Sequence, residues 1–244
     1  IALSAEQVYQ HPRLADLATA SETESPSVGR SCAELESWAT VLASPKAEGD
    51  RAAPPNQQLA ETVLITGATG FLGAHLLCEL LKRSSGDVVL LVRAECIADA
   101  WLRVDSHLLS LGLALNANDR SRCRLVLGDL HADRMGLSAA EWKVCSESVG
   151  RIYHCAAAVN LLKPLEMLAP TNILGCQRVV EFMRSGRGKE LHYASTLSVF
   201  VGSDRNQGVM LEQDDISEVG RLHGGYAQSK WVAERLLRRY GSRA

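Results

Sequence analysis

Residues 62–81 read TVLITGATGFLGAHLLCELL, and their hydrophobic pattern changes halfway. The run Thr62–Thr66 is short, apolar and rich in β-branched residues, which is typical of a buried strand. Beyond the glycine-rich turn, Leu72, Leu76 and Leu80 lie four residues apart, the spacing of one helical face. The stretch therefore predicts a strand, a tight turn and an amphipathic helix.

Three glycines, Gly67, Gly70 and Gly73, occupy this turn. In strand–turn–helix units of this kind, the first glycine permits the reversal, the second lets a pyrophosphate approach the backbone, and the third lets the helix lie against the strand. Phosphate oxygens then accept hydrogen bonds from N–H groups at the helix start. The pattern indicates a dinucleotide site, and a tight connection without a ligand is the alternative.

Strand and helix patterns alternate from residue 61 onwards. This alternation predicts an α/β fold, a Rossmann-type doubly wound parallel sheet with helices on both faces. The predicted strands are Thr62–Thr66, Val88–Val92, Arg124–Leu127, Ile152–His154 and Leu191–Ala194, and the predicted helices cover about 70–83, 96–113, 138–148, 168–185 and 224–240. Ligands of such sheets bind beyond the carboxyl ends of the strands, so residues that follow the strands are the candidate site.

Arg93 follows the second strand, where an NAD enzyme usually carries an acidic residue for the ribose 2′-hydroxyl. A guanidinium at this position pairs with a 2′-phosphate instead, so the sequence favours NADP(H) over NAD(H). Arg103, on the next predicted helix, is a candidate second phosphate ligand. A surface arginine without a ligand is the alternative for both residues.

Further candidate cofactor contacts follow the third and fourth strands. Asp129 can accept a hydrogen bond from the adenine amino group, and Leu130 can cover the adenine ring. The small residues Ala156 and Ala157, followed by Asn160, suit a loop whose backbone approaches the cofactor. Ordinary loop structure is the alternative, but the recurrence at successive strand ends favours a site.

A hydroxyl, a phenol and an ammonium group form the candidate catalytic set. Thr196 follows the fifth strand, and Tyr226 and Lys230 are four residues apart on the last predicted helix, so the pair shares one face. A neighbouring cation favours phenolate, which lets the phenol donate or accept a proton near neutral pH. An exposed Tyr and Lys is the alternative; the upstream glycine turn and Arg93 favour catalysis.

Composition narrows the class of protein. A formal net charge of −2 over 244 residues gives no general preference for nucleic acid or anionic membranes. No apolar run approaches the roughly 20 residues of a membrane span, and the start of the sequence, IALSAEQVYQ, lacks signal-peptide features. The sequence therefore predicts a cytoplasmic protein. Its seven scattered cysteines are interpreted as reduced thiols, not as disulfides or metal ligands.

Several blocks of sequence carry a family resemblance. They are TGATGFLGAHLL (66–77), LLVRA (90–94), LGDL (127–130), IYHCAAAVN (152–160), NILG (172–175), HYASTLSVF (192–200) and GGYAQSKWVAERLL (224–237). The chain thereby resembles an extended short-chain dehydrogenase/reductase, and more narrowly the thioester reductase domains that terminate nonribosomal peptide and polyketide synthases and carboxylic acid reductases. The blocks span nearly all of 61–244, and the last two are the more diagnostic.

The resemblance implies that Tyr226 is the catalytic acid, that Lys230 orients the nicotinamide ribose and tunes Tyr226, and that Thr196 is the hydroxyl partner. Asn172 takes the place of a structural helix asparagine in related enzymes. Where relatives often have Asn-Gly or Asn-Ala, this chain has Cys155-Ala156. The predicted NADP(H)-binding residues are Gly67, Thr69, Gly70, Phe71, Leu72, Gly73, Arg93, Arg103, Asp129, Leu130, Ala156, Ala157, Asn160, Tyr226 and Lys230.

The sequence predicts three segments. Residues 1–20 resemble the end of a carrier domain through the run HPRLADLA (11–18), with a generic terminal helix as the alternative. Residues 21–60 are rich in Ser, Glu, Pro and Ala and predict a linker with a short helix at Cys32–Leu42. Because family members continue with a substrate-binding portion, the resemblance implies that 61–244 is an NADP-binding domain that is incomplete at its C-terminus.

The resemblance implies NADPH-dependent release of a phosphopantetheine-tethered acyl or peptidyl thioester from a carrier domain of a multidomain synthase. The product is an aldehyde, or an alcohol after a second reduction. A nucleotide-sugar epimerase or dehydratase is an alternative, but such enzymes generally retain NAD, and Arg93 argues against it. A non-catalytic NADP-binding module is another, and it would not need Thr196, Tyr226 and Lys230 together. The truncated chain could also bind NADP without turnover.

Overall fold

The computed structural model describes residues 29–42, 62–202, 209–211 and 213–241. The predicted carrier remnant, residues 1–20, and most of the predicted linker lie outside these residues. The described strands are β1 (Arg30–Ser31), β2 (Thr62–Thr66), β3 (Val88–Val92), β4 (Cys123–Leu127), β5 (Val149–His154), β6 (Glu190–Tyr193) and β7 (Arg221–Leu222). The described α-helices are α1 (Cys32–Leu42), α2 (Phe71–Arg83), α3 (Ile97–Ser110), α4 (Ala117–Ser121), α5 (Ala139–Ser148), α6 (Leu165–Ala169), α7 (Gly175–Met183) and α8 (Gly225–Gly241).

The chain divides into two compact units. Among the described residues, the sheet unit contains 62–157 and 174–194. The helical unit contains 29–42, 158–173 and the described residues between 195 and 241. The glycine-rich turn and Arg93 therefore belong to the sheet unit, whereas Tyr226 and Lys230 belong to the helical unit.

The sheet unit is built on five parallel strands in the order β4-β3-β2-β5-β6. Val63 and Ile65 of β2 pack into a core with α2 and α3, whereas Leu64 packs into a second core with α5 and α7. Because successive side chains of a strand point to opposite faces, helices cover both faces of the sheet. The predicted Rossmann-type fold is confirmed.

The order of strands reverses between β2 and β5. From β2 the chain builds outwards through β3 and β4, and it then returns to place β5 on the other side of β2. Ligands of doubly wound sheets bind at this reversal, beyond the carboxyl ends of the two strands. In this chain that position is occupied by the turn that starts at Gly67 and by the loop that starts at Cys155.

The helical unit is organised around α8. Trp231 and Val232 of this helix are fully buried, in one cluster with Leu35 of α1 and Leu165 of α6. The indole N–H of Trp231 donates a hydrogen bond of 2.8 Å to the Ile216 carbonyl, so the buried ring leaves no polar atom unsatisfied. The short helix predicted at Cys32–Leu42 is confirmed as α1.

The predicted helix at 168–185 is the one that differs most in the structure. The helical stretch begins earlier, at Leu165, and a π-helical segment, Pro170–Leu174, separates α6 from α7. Proline has no N–H to donate to the preceding turn, so regular α-helical bonding cannot continue through Pro170.

The described residues include no helix that is both long and apolar enough to cross a membrane.

Candidate active site

The turn after β2 is shaped by two close backbone approaches. Gly67 has φ +81°, in the left-handed region, and a Cβ at this position would lie 2.6 Å from the backbone nitrogen of Ala156. A Cβ on Gly73 would overlap the carbonyl group of Gly67. Only glycine satisfies both requirements without strain. The first and third glycines of the motif thus hold the turn against β5 and the helix against the turn.

The start of α2 has the features that a phosphate group needs. The N-cap residue is Gly70, which offers no side-chain acceptor, so the helix receives no side-chain cap at this end. A Cβ on Gly70 would meet only the Gly67 carbonyl oxygen, at 3.3 Å. N–H groups at a helix start that has no side-chain cap fit a pyrophosphate. Thr69 is half-buried here, and Phe71 and Leu72 are exposed.

Three predicted cofactor residues meet at the ends of β3 and β4. The Arg93 side chain is 68% exposed, and its Nη1 lies 3.9 Å from Oδ2 of Asp129. Arg103 donates a hydrogen bond from its guanidinium to the Arg93 carbonyl. The Oδ1 atom of Asp129 accepts a bond of 2.9 Å from the His131 backbone. The result is an exposed corner that combines two guanidinium groups with one carboxylate.

Beneath the glycine turn lies a buried pair that sequence reasoning missed. Oγ1 of Thr66 and Nδ1 of His154 are 2.6 Å apart, and both residues are buried. They are the last residues of β2 and β5, and the Cys155 N–H donates to the Thr66 carbonyl at 3.1 Å. The pair therefore fixes the two strand ends at the reversal. The available signal was one polar residue at the end of each neighbouring apolar strand.

The remaining cofactor residues of the sheet unit have different environments. Leu130 is buried in the core, where Gly175 at the start of α7 lies against its Cβ. Ala156 and Ala157 are half-buried in the loop after β5. Contact of Leu130 with adenine, and of the two alanines with the cofactor, stay predictions.

In the helical unit, Tyr226 stands in the first turn of α8 and Lys230 in the second. Gly224, with φ +80°, turns the chain into the helix. Gly225 is buried so tightly that a Cβ would overlap backbone atoms of Lys163 and Pro164. This contact sets the depth of the helix start. Lys230, on the same helical face as Tyr226, is 2% exposed.

Tyr226 lines a cavity of about 320 Å³. The lining residues with polar side chains are Tyr226, Ser198 and His223, and the others are Leu161, Val201, Gly202, Gly224 and Ala227. A phenol thus faces a mainly apolar cavity within the helical unit, which is the usual composition of a small-molecule site. Ser198 and His223 are cavity residues that sequence reasoning missed, since neither belongs to the strand-end pattern that it followed.

Thr196 caps the 3-10 helix Leu197–Phe200. Its Oγ1 accepts a hydrogen bond of 3.2 Å from the Ser198 N–H and lies 3.3 Å from the Ser198 hydroxyl. It is therefore adjacent to a residue of the cavity wall. Asn160 has a comparable local contact, because its side-chain oxygen accepts from the N–H groups of Leu162 and Lys163, both at 2.9 Å. The proposed cofactor contact of Asn160 stays a prediction.

Asn172 lies in the π-helical segment and is buried. Its side-chain oxygen accepts a bond of 2.7 Å from the Ala158 N–H, and its amide nitrogen donates to the Ala158 carbonyl at 3.0 Å. The same nitrogen donates to the Ser229 hydroxyl at 2.9 Å. Within the helical unit, the residue thus joins Ala158 to the helix that carries Tyr226 and Lys230.

Replacing Asn172 with Ala is expected to lower the free energy of unfolding by about 1–3 kcal/mol, because Ala158 and Ser229 lose their buried partner. Urea denaturation of the two proteins measures the difference. Asn118→Ala is the matched control, since Asn118 is exposed on α4, and its cost should stay within about 0.5 kcal/mol. Equal stability of the Asn172 variant and the parent would contradict the bridging role.

The fold and the glycine-rich turn at the strand reversal define a dinucleotide-binding α/β domain. The profile of a family of NAD-binding domains, described as "Male sterility protein", matches residues 65–244. The chain belongs to this family, and a nicotinamide cofactor is indicated for it.

The relatives lie among synthases and reductases. The chain is 35% identical over 198 residues to one chain of the linear gramicidin synthase of Brevibacillus parabrevis, and the match covers 81% of this chain and 4% of that protein. It is 31% identical over 207 residues to L-2-aminoadipate reductase of Saccharomyces cerevisiae, covering 78% of this chain and 15% of the relative. The chain thus spans a small part of both proteins.

A solved structure supports the narrower resemblance. The crystal structure of the terminal R domain from the myxalamid PKS-NRPS biosynthetic pathway matches with a TM-score of 0.76 and 36% identity. The match covers 87% of this chain and 53% of that one, so the chain spans about half of that reductase domain. The resemblance to terminal reductase domains, stated above from sequence blocks, is confirmed.

Proposed function

We propose that this chain is the cofactor-binding part of a reductase that uses NADPH to release a carrier-bound thioester as an aldehyde. One observation carries the proposal: on a chain of this family, Tyr226 lines a mainly apolar cavity and shares its helical face with buried Lys230. A non-catalytic nucleotide-binding module gives no reason for a phenol in such a cavity. A sugar epimerase is less well supported, because the relatives described above are synthases and reductases.

The turn between β2 and α2 is proposed to hold the pyrophosphate of the cofactor. Its support is the start of α2, where Gly70 provides no side-chain cap and its φ of −113° brings the backbone of the turn to the helix without strain. Arg93 and Arg103 are proposed to bind the 2′-phosphate, which makes the cofactor NADP(H), and Asp129 is proposed to bind the adenine amino group. When bound, the reduced nicotinamide supplies the hydride, so that thioester, NADPH and one proton give aldehyde, carrier thiol and NADP⁺.

The residues of the helical unit are proposed to handle the proton and the developing charge. Tyr226 donates its phenolic proton to the carbonyl oxygen as negative charge builds on it, a role that contributes about 10²–10⁴-fold to the rate. The ammonium group of Lys230 favours the phenolate that remains, and it orients the nicotinamide ribose. The Thr196 hydroxyl donates a second hydrogen bond to the same oxygen. Collapse of the hemithioacetal then releases the aldehyde and the thiol.

The cavity beside Tyr226 is proposed to receive the part of the acyl or peptidyl group next to the carbonyl. Leu161, Val201 and Ala227 make much of its wall apolar, so an apolar segment loses water there without losing hydrogen bonds. The thioester is proposed to arrive on the phosphopantetheine arm of a carrier domain, within a multidomain synthase. The relatives in gramicidin and myxalamid synthesis support this setting.

The choice of NADPH is tested by reversing the charge at Arg93. Arg93→Glu is expected to weaken NADPH binding by about tenfold or more, because a charge-assisted contact of about 1.5–3 kcal/mol is replaced by repulsion. The affinity for NADH should not fall, since NADH lacks the 2′-phosphate and an acidic residue at this position suits a ribose 2′-hydroxyl. Fluorescence titration of each reduced cofactor measures both constants.

Arg83→Glu is the matched control. Arg83 is 81% exposed at the end of α2, and its replacement by Glu changes the net charge by the same amount. It should leave both affinities close to those of the parent. Equal losses of NADPH and NADH binding in the Arg93 variant would remove Arg93 from the phosphate site.

The proposed activity is tested with the full-length protein and an acyl thioester of coenzyme A or of a carrier domain. Oxidation of NADPH should require the thioester, and it should be accompanied by free thiol and by an aldehyde that a hydrazine reagent traps. Thiol release that proceeds equally without NADPH would make the protein a hydrolase instead.

A further inference from the structure

The segment formed by β1 and α1 lies upstream of the family match, which covers 65–244, yet it is an integral part of the helical unit. β1 pairs with β7 in antiparallel fashion, with Arg30 opposite Leu222. β7 is followed directly by Gly224, Gly225 and Tyr226. Residues from a predicted linker therefore form the sheet partner of the strand that leads into the candidate catalytic helix.

The same segment packs along α8 itself. Leu35 and Ala39, one turn apart on α1, are both fully buried, and their cluster includes Trp231 and Val232 of α8. Burying a leucine side chain contributes about 1.5–3 kcal/mol, so this contact belongs to a core and not to a loosely attached linker.

A carboxylate on α1 then ties α8 at two successive turns. Glu36 accepts a hydrogen bond of 3.1 Å from Nε of Arg235, a second from the same guanidinium at 3.3 Å, and a further one from Arg239. Burial alone would raise the pKa of Glu36, but the hydrogen bonds from the two arginines outweigh it and lower that pKa. Glu36 is thus charged near neutral pH and bridges two side chains of the helix.

We infer that the β1–α1 segment holds α8 in its working position, and that Glu36 is a positioning residue for Tyr226 and Lys230. The catalytic part of this inference rests on the proposed function. Glu36 acts through the helix: if its two arginines are released, α8 gains freedom of motion, and the phenol is less often aligned with its substrate. Displacements of about 1 Å at a catalytic group are enough to cost a large part of the rate.

The experiment compares Glu36→Gln with Glu34→Gln in the full-length protein. Glu34 is the matched control, because this carboxylate of the same helix accepts hydrogen bonds from the N–H and the hydroxyl of Ser31, the residue directly before the helix. Hydrogen–deuterium exchange of peptides from 225–241 is measured first, since it requires no catalysis. In Glu36→Gln, the amide hydrogens of α8 should exchange about fivefold faster or more, which corresponds to a loss of about one kcal/mol of local stability. In Glu34→Gln, they should exchange at the parental rate.

Steady-state kinetics then separate positioning from general damage. Glu36→Gln should lower kcat about five- to twentyfold, because the loss of local stability in α8 leaves Tyr226 less often aligned. The affinity for NADPH and the hydrogen exchange rates of β2 and β3 should stay parental. Glu36→Asp, which keeps the charge, should recover part of kcat. Unchanged exchange in α8, or faster exchange spread equally over β2, β3 and α8, would overturn the inference. If the parent reduces no thioester, the proposed function fails, whereas the exchange comparison still decides whether the segment holds α8.

Discussion

Replacement of Tyr226 by Phe is expected to lower the rate of thioester reduction by about 10²–10⁴-fold. The substitution removes only the phenolic oxygen, so the ring still fills its place in the wall of the 320 Å³ cavity. The affinity for NADPH should fall by less than about threefold, because the lost proton transfer acts in the transition state and not on the binding of the cofactor. Single-turnover oxidation of NADPH in the presence of saturating thioester measures the chemical step.

Tyr240→Phe is the matched control for this substitution. Tyr240 lies near the end of the same helix, away from the cavity-lining residues, and its variant should keep the parental rate. If Tyr226→Phe also keeps the parental rate, Tyr226 is not the proton donor, and the proposed roles of Lys230 and Thr196 lose their basis.

Replacement of Gly67 by Ala is expected to abolish cofactor binding and to destabilise the fold by about 2–4 kcal/mol. The backbone at Gly67 has φ +81°, and the new Cβ would lie 2.6 Å from the Ala156 nitrogen and 2.8 Å from the Cys155 carbonyl carbon. Relief of either clash moves the turn away from β5. Urea denaturation measures the loss of stability, and fluorescence titration measures the loss of NADPH binding.

Two further glycines separate the causes of this effect. Gly112 has φ +70°, and a Cβ added there would meet no atom within 4 Å, so Gly112→Ala should show backbone strain alone, about 1–2 kcal/mol, with normal NADPH binding. Gly70 has φ −113°, which any residue adopts, and an added Cβ would lie 3.3 Å from the Gly67 carbonyl oxygen. Gly70→Ala should therefore fold with only a small shift of the turn, and it should bind NADPH about tenfold more weakly, because its methyl group crowds the phosphates. Normal binding by the Gly70 variant would place the pyrophosphate elsewhere.

The sheet unit was largely predictable from the sequence. Its strands are short apolar runs and its helices are periodic, so pattern alone located β2, α2 and β3 to within a residue. The prediction of one helix at 168–185 was less accurate, because the π-helical segment that interrupts it depends on how the structure accommodates Pro170. The pairing of β1 with β7 was not predictable, since two-residue strands carry no periodicity and their partner lies almost 200 residues away.

The candidate site was also predictable only where its residues follow the pattern of strands and helices. Arg93 and Asp129 were predicted because they follow strands, and Arg103 because it lies on the next helix; the structure brings the three together. Ser198 and His223 were missed, because a cavity wall made from a 3-10 helix and a turn has no sequence period. The bridge made by Asn172 was anticipated only as a family position, and its partners Ala158 and Ser229 required the fold.

Transfer of deuterium from NADPH labelled at the nicotinamide C4 position tests the central claim most directly. With the full-length protein and an acyl thioester, the trapped aldehyde should carry one deuterium on its carbonyl carbon when the transferred position is labelled, and the released thiol should match it in amount. A carboxylic acid as the product, or an aldehyde without deuterium from either labelled face of the cofactor, would contradict reductive release by this chain.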